Sequence, residues 1–160
     1  MISVITWDAG FRESLHTVDC FKAMQNGAEV FEFLWVDYYG STNPKLAEKF
    51  NDFSAGRIVN HGGSGMWHLG RAINAAVKEA SGDLLVIPDG DVLVEPDFLS
   101  HVAAEHRKFG ELVMYVRRWD ELPPDAGIQK VNPDLEYLRD HCVLTNPTNY
   151  GGCLTISKEM

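Results

Sequence analysis

The chain has 160 residues, 45% of them hydrophobic and 23% charged, which suits a single globular domain with its own core and excludes a disordered or fibrous protein. With Asp+Glu at 23 against Lys+Arg at 14, the formal net charge is −9. That sign repels a phosphate backbone, so nucleic acid is excluded as a partner, and an anionic substrate needs a local basic cluster or a divalent cation beside it.

Residues 2–7 are short, β-branched and apolar, and Asp8-Ala9-Gly10 follows them, as at the end of a buried strand. Phe11, Leu15, Val18, Phe21 and Met24 then recur at helical spacing, and Asn26-Gly27 supplies the stop. Residues 30–36 form a second apolar strand with Asp37 at its end, the loop 40–44 beyond it and a short helix over 44–50. Residues 57–60 read as a third strand, and His61-Gly62-Gly63-Ser64-Gly65 as a mobile connection in which backbone can approach a ligand. Leu69, Ala72, Ile73, Ala76, Val77 and Ala80 mark the clearest helix, whose polar side carries Arg71, Asn74 and Lys78 and which Ser81-Gly82 ends. The run Leu84-Leu85-Val86-Ile87 is too short for a helix and suits a strand covered on both faces, ending in Asp89-Gly90-Asp91. Pro96 opens a further helix that Gly110 closes, and residues 112–116 make a fifth strand. Beyond Arg117 the alternation gives way to Pro-rich turns with one helix over 133–141.

Alternating strands and helices predict an α/β fold with a mostly parallel central sheet and helices on both faces, which binds ligands beyond the carboxyl ends of its strands. Asp8, Asp37, Asp89 and Asp91 all fall at such ends. Two carboxylates one residue apart on a tight turn are compatible with a pyrophosphate only if a cation lies between. Mg²⁺ or Mn²⁺ fits, because either ion binds through one or two carboxylates and takes its other oxygens from phosphate and water. Gly90 permits the close approach. An isolated Asp-Gly-Asp is more often an ordinary polar turn. Here its place at the end of an apolar strand, on the sheet edge shared with Asp37, favours the metal reading.

In the order and spacing of these segments the chain resembles the family 2 inverting glycosyltransferases of the GT-A fold, a Rossmann-like layered fold of nucleotide-diphospho-sugar transferases. The residues concerned are Ile2-Ser3-Val4-Ile5-Thr6, Val36-Asp37 with Gly40-Ser41-Thr42, the Asn74-bearing helix ending Ala80-Ser81-Gly82-Asp83, Ile87-Pro88-Asp89-Gly90-Asp91, and residues 150–158. The resemblance implies one domain over 1–160, with 1–117 as the nucleotide-sugar-binding part and 118–160 as the start of the acceptor side. It implies a UDP- or GDP-sugar as donor and a saccharide or other hydroxyl as acceptor. Asp37 would contact the base or ribose, Asp89 the ribose, Asp91 the metal directly with Asp89 beside it, and Arg71 the base or diphosphate; Asp8 completes the donor set. The general base of this family usually lies beyond the segment resembling 150–158, so none is assigned, and the chain looks like a truncated catalytic domain. Two segments depart from the family: Trp7-Asp8 stands in place of a Pro-x-x-Asn-like opening, and Val36-Asp37-Tyr38-Tyr39-Gly40 carries Tyr where a second Asp is frequent.

Several residues have plainer readings. Asp8 is suited to bond turn amides; Arg71, Asn74 and Lys78 suit a solvated helix face; His61 and His68 show no metal-ligand spacing. Trp67 and Trp119, near loops, are candidates for sugar contact, whereas Phe33 and Trp35 suit the core. Asp120, Glu121 and Asp125 suit a solvated loop. Two other functions stay open: a nucleotide-sugar-binding module without turnover, and an Asp-dependent phosphohydrolase with Asp89 as nucleophile. Cys20, Cys142 and Cys153 are odd in number and scattered, which argues against a disulfide framework or zinc site and for a cytoplasmic protein or one at the cytoplasmic face of a membrane. No apolar run reaches a membrane span, and no secretory signal is recognisable at the first residues.

Overall fold

The apolar stretch after Met1 forms β1 (Ile2–Asp8), the strand from which the sheet is extended in both directions. In the computed structural model, residues 1–11, 15–110, 113–115, 120–121, 135, 142–143 and 152–159 are described. After β1 come α1 (His16–Met24), β2 (Phe31–Asp37), α2 (Pro44–Phe50), β3 (Gly56–Asn60), α3 (Leu69–Glu79), β4 (Leu84–Pro88) and α4 (Phe98–Phe109). Then follow β5 (Val113–Tyr115), β6 (Asp120–Glu121), β7 (Cys142–Val143) and β8 (Cys153–Ser157). Local chemistry sets several of these boundaries. Asn43 accepts the Lys45 amide at 2.9 Å and Pro44 opens α2, while Gly110, at φ +75°, ends α4.

Six strands form one sheet in the order β3-β2-β1-β4-β8-β5, and β6 and β7 form a separate antiparallel ladder. The strands β3, β2, β1 and β4 are parallel neighbours, as the alternation predicts. The far side differs from a simple parallel series. The last strand, β8, runs antiparallel to β4 and to β5 and lies between them. Such a pairing joins residues far apart in sequence and leaves no local signature. The helix expected over 133–141 falls outside the described residues except for Leu135.

Strand alternation divides the core between the two faces. On one, Ile2, Val4, Phe31, Phe33, Trp35 and Val86 pack under α1, α2 and α4 through Val18, Phe21, Leu46, Leu99 and Val102. On the other, Ile5, Trp7, Leu34, Val36, Leu85 and Ile87 meet Ala72, Ala76 and Ala80 at α3. The period of two along each strand thus supplies both helical layers. Burying each of the large side chains, Phe21, Phe33 and Trp35 among them, contributes about 1.5–3 kcal/mol.

One polar cluster ties the amino ends of the strands to the end of α3. Ser3 Oγ donates to Glu32 Oε1 at 2.7 Å and accepts the Gly82 amide at 2.8 Å, and the Ser81 amide donates to Glu32 Oε1. Gly82 is required here for space, since a Cβ would lie 2.6 Å from the Ser3 nitrogen. Partial burial opposes the charge on Glu32, but the Ser81 amide, the Ser3 hydroxyl, the Arg57 guanidinium and the Gly82 amide outweigh it and hold the carboxyl below its ordinary value of 4.5. A lowered folded value stabilises the native state above the unfolded value, and this contribution fades as pH falls through the folded one. Glu32→Gln is therefore expected to lower stability near neutral pH by about 1–3 kcal/mol. Urea unfolding across the acid range should also show the variant losing less stability than the parent below pH 4.5.

Candidate functional site

At the carboxyl edge of the sheet the register sets Asp8 opposite Asp37, and Asp37 opposite Asn60, so three polar side chains end three adjacent strands. On its other side β1 behaves differently. Its ladder with β4 ends at Val4–Val86, whereas its ladder with β2 runs on to Asp8–Asp37. The two central strands thus part over the last half of β1. The order of strands also reverses there, with β2 and β3 to one side and β4 to the other, which is the switch point where open α/β sheets hold ligands.

Across this opening lies Asp89-Gly90-Asp91, immediately after β4. Asp89 is half-buried, Gly90 buried and Asp91 exposed. The turn is fixed by its backbone: the Asp89 amide donates to the Gly152 carbonyl at 2.7 Å, and the Val92 amide to the Asp89 carbonyl at 3.4 Å. From α1, the buried Thr17 hydroxyl lies 2.8 Å from the Val92 carbonyl and 3.3 Å from that of Asp89. Thr17 is not legible from sequence, because a Thr within an apolar helical stripe gives no sign that its hydroxyl reaches another element. Beside the turn, burial pushes the Cys153 thiol up to about 12, reinforced by the negative charge of Asp89 and opposed by a bond at the Ile87 backbone. No thiolate nucleophile stands there near neutral pH.

Asp8 and Asp37 are brought together, and both are occupied in shaping their own loops. Asp8 Oδ1 accepts the amides of Gly10 at 2.9 Å and Phe11 at 3.1 Å, the turn-forming role that its plainer reading gave it. Asp37, 7% exposed, accepts the Gly40 amide at 2.9 Å on one oxygen and the Thr42 hydroxyl at 2.8 Å on the other. Each Asp37 carboxylate oxygen has a second lone pair, so this residue keeps acceptor capacity. Arg71 stands exposed in the first turn of α3, with Asn74 and Lys78 also exposed further along the helix. Nothing between described residues joins Arg71 to the four acids.

The glycine loop, expected to be mobile, is fastened at several points. His61 N donates to Asp37 O at 3.0 Å and Gly63 N to Tyr38 O at 2.7 Å, while the hydroxyls of Tyr38 and Tyr39 donate to Met66 O and Gly65 O at 3.3 and 3.1 Å. Trp67 packs edge-on with Phe11 and with Tyr38. Asp120 and Glu121 belong to the small β6–β7 ladder. Asp125, Trp119, Tyr150 and Gly151 lie outside the described residues. A groove of about 570 Å³, lined by Ile2, Val30, Leu84, Ala103, His106 and Arg107 among others, opens at the opposite, amino edge and contains none of the candidate residues.

Among the described residues no three His, Cys, Asp or Glu side chains are grouped to hold a metal ion. The oxygen-only pair at Asp89 and Asp91 nevertheless suits a hard cation that takes most of its ligands from phosphate and water. Thr17→Val, which keeps the shape and removes the hydroxyl, should cost about 1–3 kcal/mol by stripping the bonds from two carbonyls. Thermal unfolding is the measurement, and it should show a Tm lowered by roughly 2–12 °C for a chain of this length.

The model for glycosyl transferase family 2 matches residues 20–159. No curated protein matches the chain. Among solved structures, S. aureus TarS 1-349 in complex with UDP-GlcNAc is similar at 22% identity and TM-score 0.60, covering 77% of this chain and 35% of that one. The mannosyltransferase PcManGT from Pyrobaculum calidifontis, in complex with GDP-Man and Mn²⁺, is similar at 17% and 0.63, covering 99% and 44%. Glucosyl-3-phosphoglycerate synthase from Mycobacterium tuberculosis, with Mn²⁺, uridine-diphosphate and glucosyl-3-phosphoglycerate, gives 19% and 0.59, covering 99% and 57%. The chain thus spans between about a third and three fifths of these proteins. At such identities the likeness speaks for the fold, a GT-A Rossmann-like α/β fold. The family model, which reaches from α1 to the residue after Lys158, settles the rest: this chain belongs to glycosyl transferase family 2.

Proposed function

We propose that the chain binds a nucleotide-diphosphate sugar across the opening between β1 and β4 and serves the transfer of its sugar to an acceptor hydroxyl with inversion. The observation that carries this reading is the fixed Asp89-Gly90-Asp91 turn facing the paired ends Asp8 and Asp37 where the two strands part. It is supported by the ligands of similar structures, UDP-GlcNAc in one, GDP-Man with Mn²⁺ in another, and uridine-diphosphate with Mn²⁺ in a third. On this reading residues 1–117 are the donor-binding part and 118–160 the start of the acceptor side.

The roles proposed are those that the resemblance implies, and the position of these residues at the strand ends supports them. Asp91, the more exposed carboxylate, is the direct metal ligand, with Asp89 beside it facing the ribose. Asp37 uses its remaining lone pairs on the base or ribose, and Asp8 holds the turn next to it. Arg71 is a long cation at the head of α3 that reaches toward base or diphosphate. A divalent ion, Mn²⁺ or Mg²⁺, supplies Lewis-acid stabilisation to the departing diphosphate. The attacking hydroxyl needs a base to take its proton, and none of the described carboxylates is assigned that work. A binding module without turnover is therefore the second reading, favoured by that one point. Family membership weighs against the phosphohydrolase.

Cys20 and Cys153 are free thiols, and no helix among the described residues is long and apolar enough to cross a membrane. A cytoplasmic place, or one at the cytoplasmic face of a membrane, is part of the same proposal.

Thermal shift with nucleoside diphosphates and nucleotide sugars, with and without Mn²⁺, tests binding, because a ligand that binds only the native state raises its apparent stability. At ligand 100-fold above Kd the gain is about 2.7 kcal/mol. At least one uridine or guanosine diphosphate should stabilise the parent in the presence of metal, and Asp91→Ala should abolish the metal-dependent part. Stabilisation that ignores metal, or that survives in Asp91→Ala, would refute the assigned metal ligand.

A further inference from the structure

Tyr38 is the first of two tyrosines in the segment where the resemblance leads one to expect a second acid, and it is 1% exposed. It is the meeting point of three segments. Its amide donates to the Asp8 carbonyl at 2.9 Å, closing β2 onto the end of β1; its carbonyl accepts the Gly63 amide at 2.7 Å; its hydroxyl donates to the Met66 carbonyl at 3.3 Å. Its ring lies 5.0 Å from that of His61 and 6.1 Å from that of Trp67, centroid to centroid. Gly63 rests directly on it, since a Cβ there would come within 2.6 Å of Tyr38 Cε1. An aspartate at this place is too short to make these ring contacts. The tyrosine adds a rigid plane and one donor in its stead.

We propose that Tyr38 is a positioning residue that sets the wall gripping the donor's base, by fastening the loop 61–67 to the paired ends of β1 and β2. The inference rests on the reading above that Asp37 meets the donor's base or ribose, and takes the base as the part held at that side of the opening. The ligand class it concerns is the heterocycle of a nucleoside diphosphate. Tyr38 itself is covered, so it acts through His61, Gly63 and Trp67. The turn that carries Asp89 and Asp91 is held instead at Asp89 and Val92, by Thr17 and Gly152. The two ends of the site are thereby mechanically separate, and disturbing Tyr38 should weaken the grip on the base while sparing the grip on the diphosphate.

The test is calorimetric titration of uridine and guanosine diphosphates with Mn²⁺, and of inorganic pyrophosphate with Mn²⁺, into the whole chain and its variants. Tyr38→Leu and Gly63→Ala are each expected to weaken the better nucleoside diphosphate roughly 10- to 100-fold, with pyrophosphate affinity unchanged. Tyr38→Phe, which keeps the ring, should stay close to the parent. The double variant should recover part of the loss, because the smaller Leu leaves room for the added methyl, a coupling that independent sites do not show. Equal weakening of pyrophosphate, or unchanged nucleotide affinity in folded Tyr38→Leu, would overturn the role of Tyr38 and leave the donor site standing. If Tyr38→Leu does not fold, Gly63→Ala decides: unchanged nucleotide affinity, or an equal loss of pyrophosphate affinity, overturns it equally. A parent that binds pyrophosphate but no nucleoside diphosphate sinks the donor reading and this inference together.

Discussion

The hydroxyl of Thr17 is the contact on which the arrangement of the site turns. It reaches from α1, which packs on one face of the sheet, to two backbone carbonyls in the turn after β4, and so fixes that turn relative to the far side of β1. Without such a tie the parting of β1 from β4 would be a gap between two strand ends. With it, the acids of the turn stand at a set place opposite Asp8 and Asp37. A buried hydroxyl is costly unless bonded, and here the need for a partner and the need for a fixed turn are met by the same atom.

Most of the sheet was legible from periodicity. The strands ending at Asp8, Asp37, Asn60 and Pro88 fell where short apolar runs met turn residues, and the helices between them followed the spacing of Leu, Ala, Val and Phe. What could not be read is of another kind. The insertion of β8 between β4 and β5 depends on antiparallel pairing across more than sixty positions of chain, for instance Leu85 with Ile156. Its residues, Cys153 to Ser157, carry no sign of which strand they seek. Register between non-neighbouring strands is decided by the assembled surface rather than by local pattern.

The candidate acids illustrate the same division. Their position at the strand ends was readable, and so was the turn bonding of Asp8; the loop bonding of Asp37 was not. Asp8 and Asp37 spend bonds on the amides of Gly10, Phe11 and Gly40 and on the Thr42 hydroxyl, since a carboxylate at the end of a strand is the nearest acceptor for the donors of the turn that follows. Arg71 was readable as one member of a polar helix face, and its exposure agrees with that. The fastening of the glycine loop was missed because glycines alone suggest freedom, whereas the tyrosines that hold them are on another strand's loop.

The place of β8 bears on how the molecule is made. Because β4 has β1 on one side and β8 on the other, one flank of the central strand stays unpaired during synthesis until residues near the end of this sequence have left the ribosome. Through that interval an apolar strand edge, Leu84 to Pro88, is open to pairing with another chain. Fragments that stop short of Cys153 would keep that edge permanently, and self-association rather than simple unfolding is their natural fate.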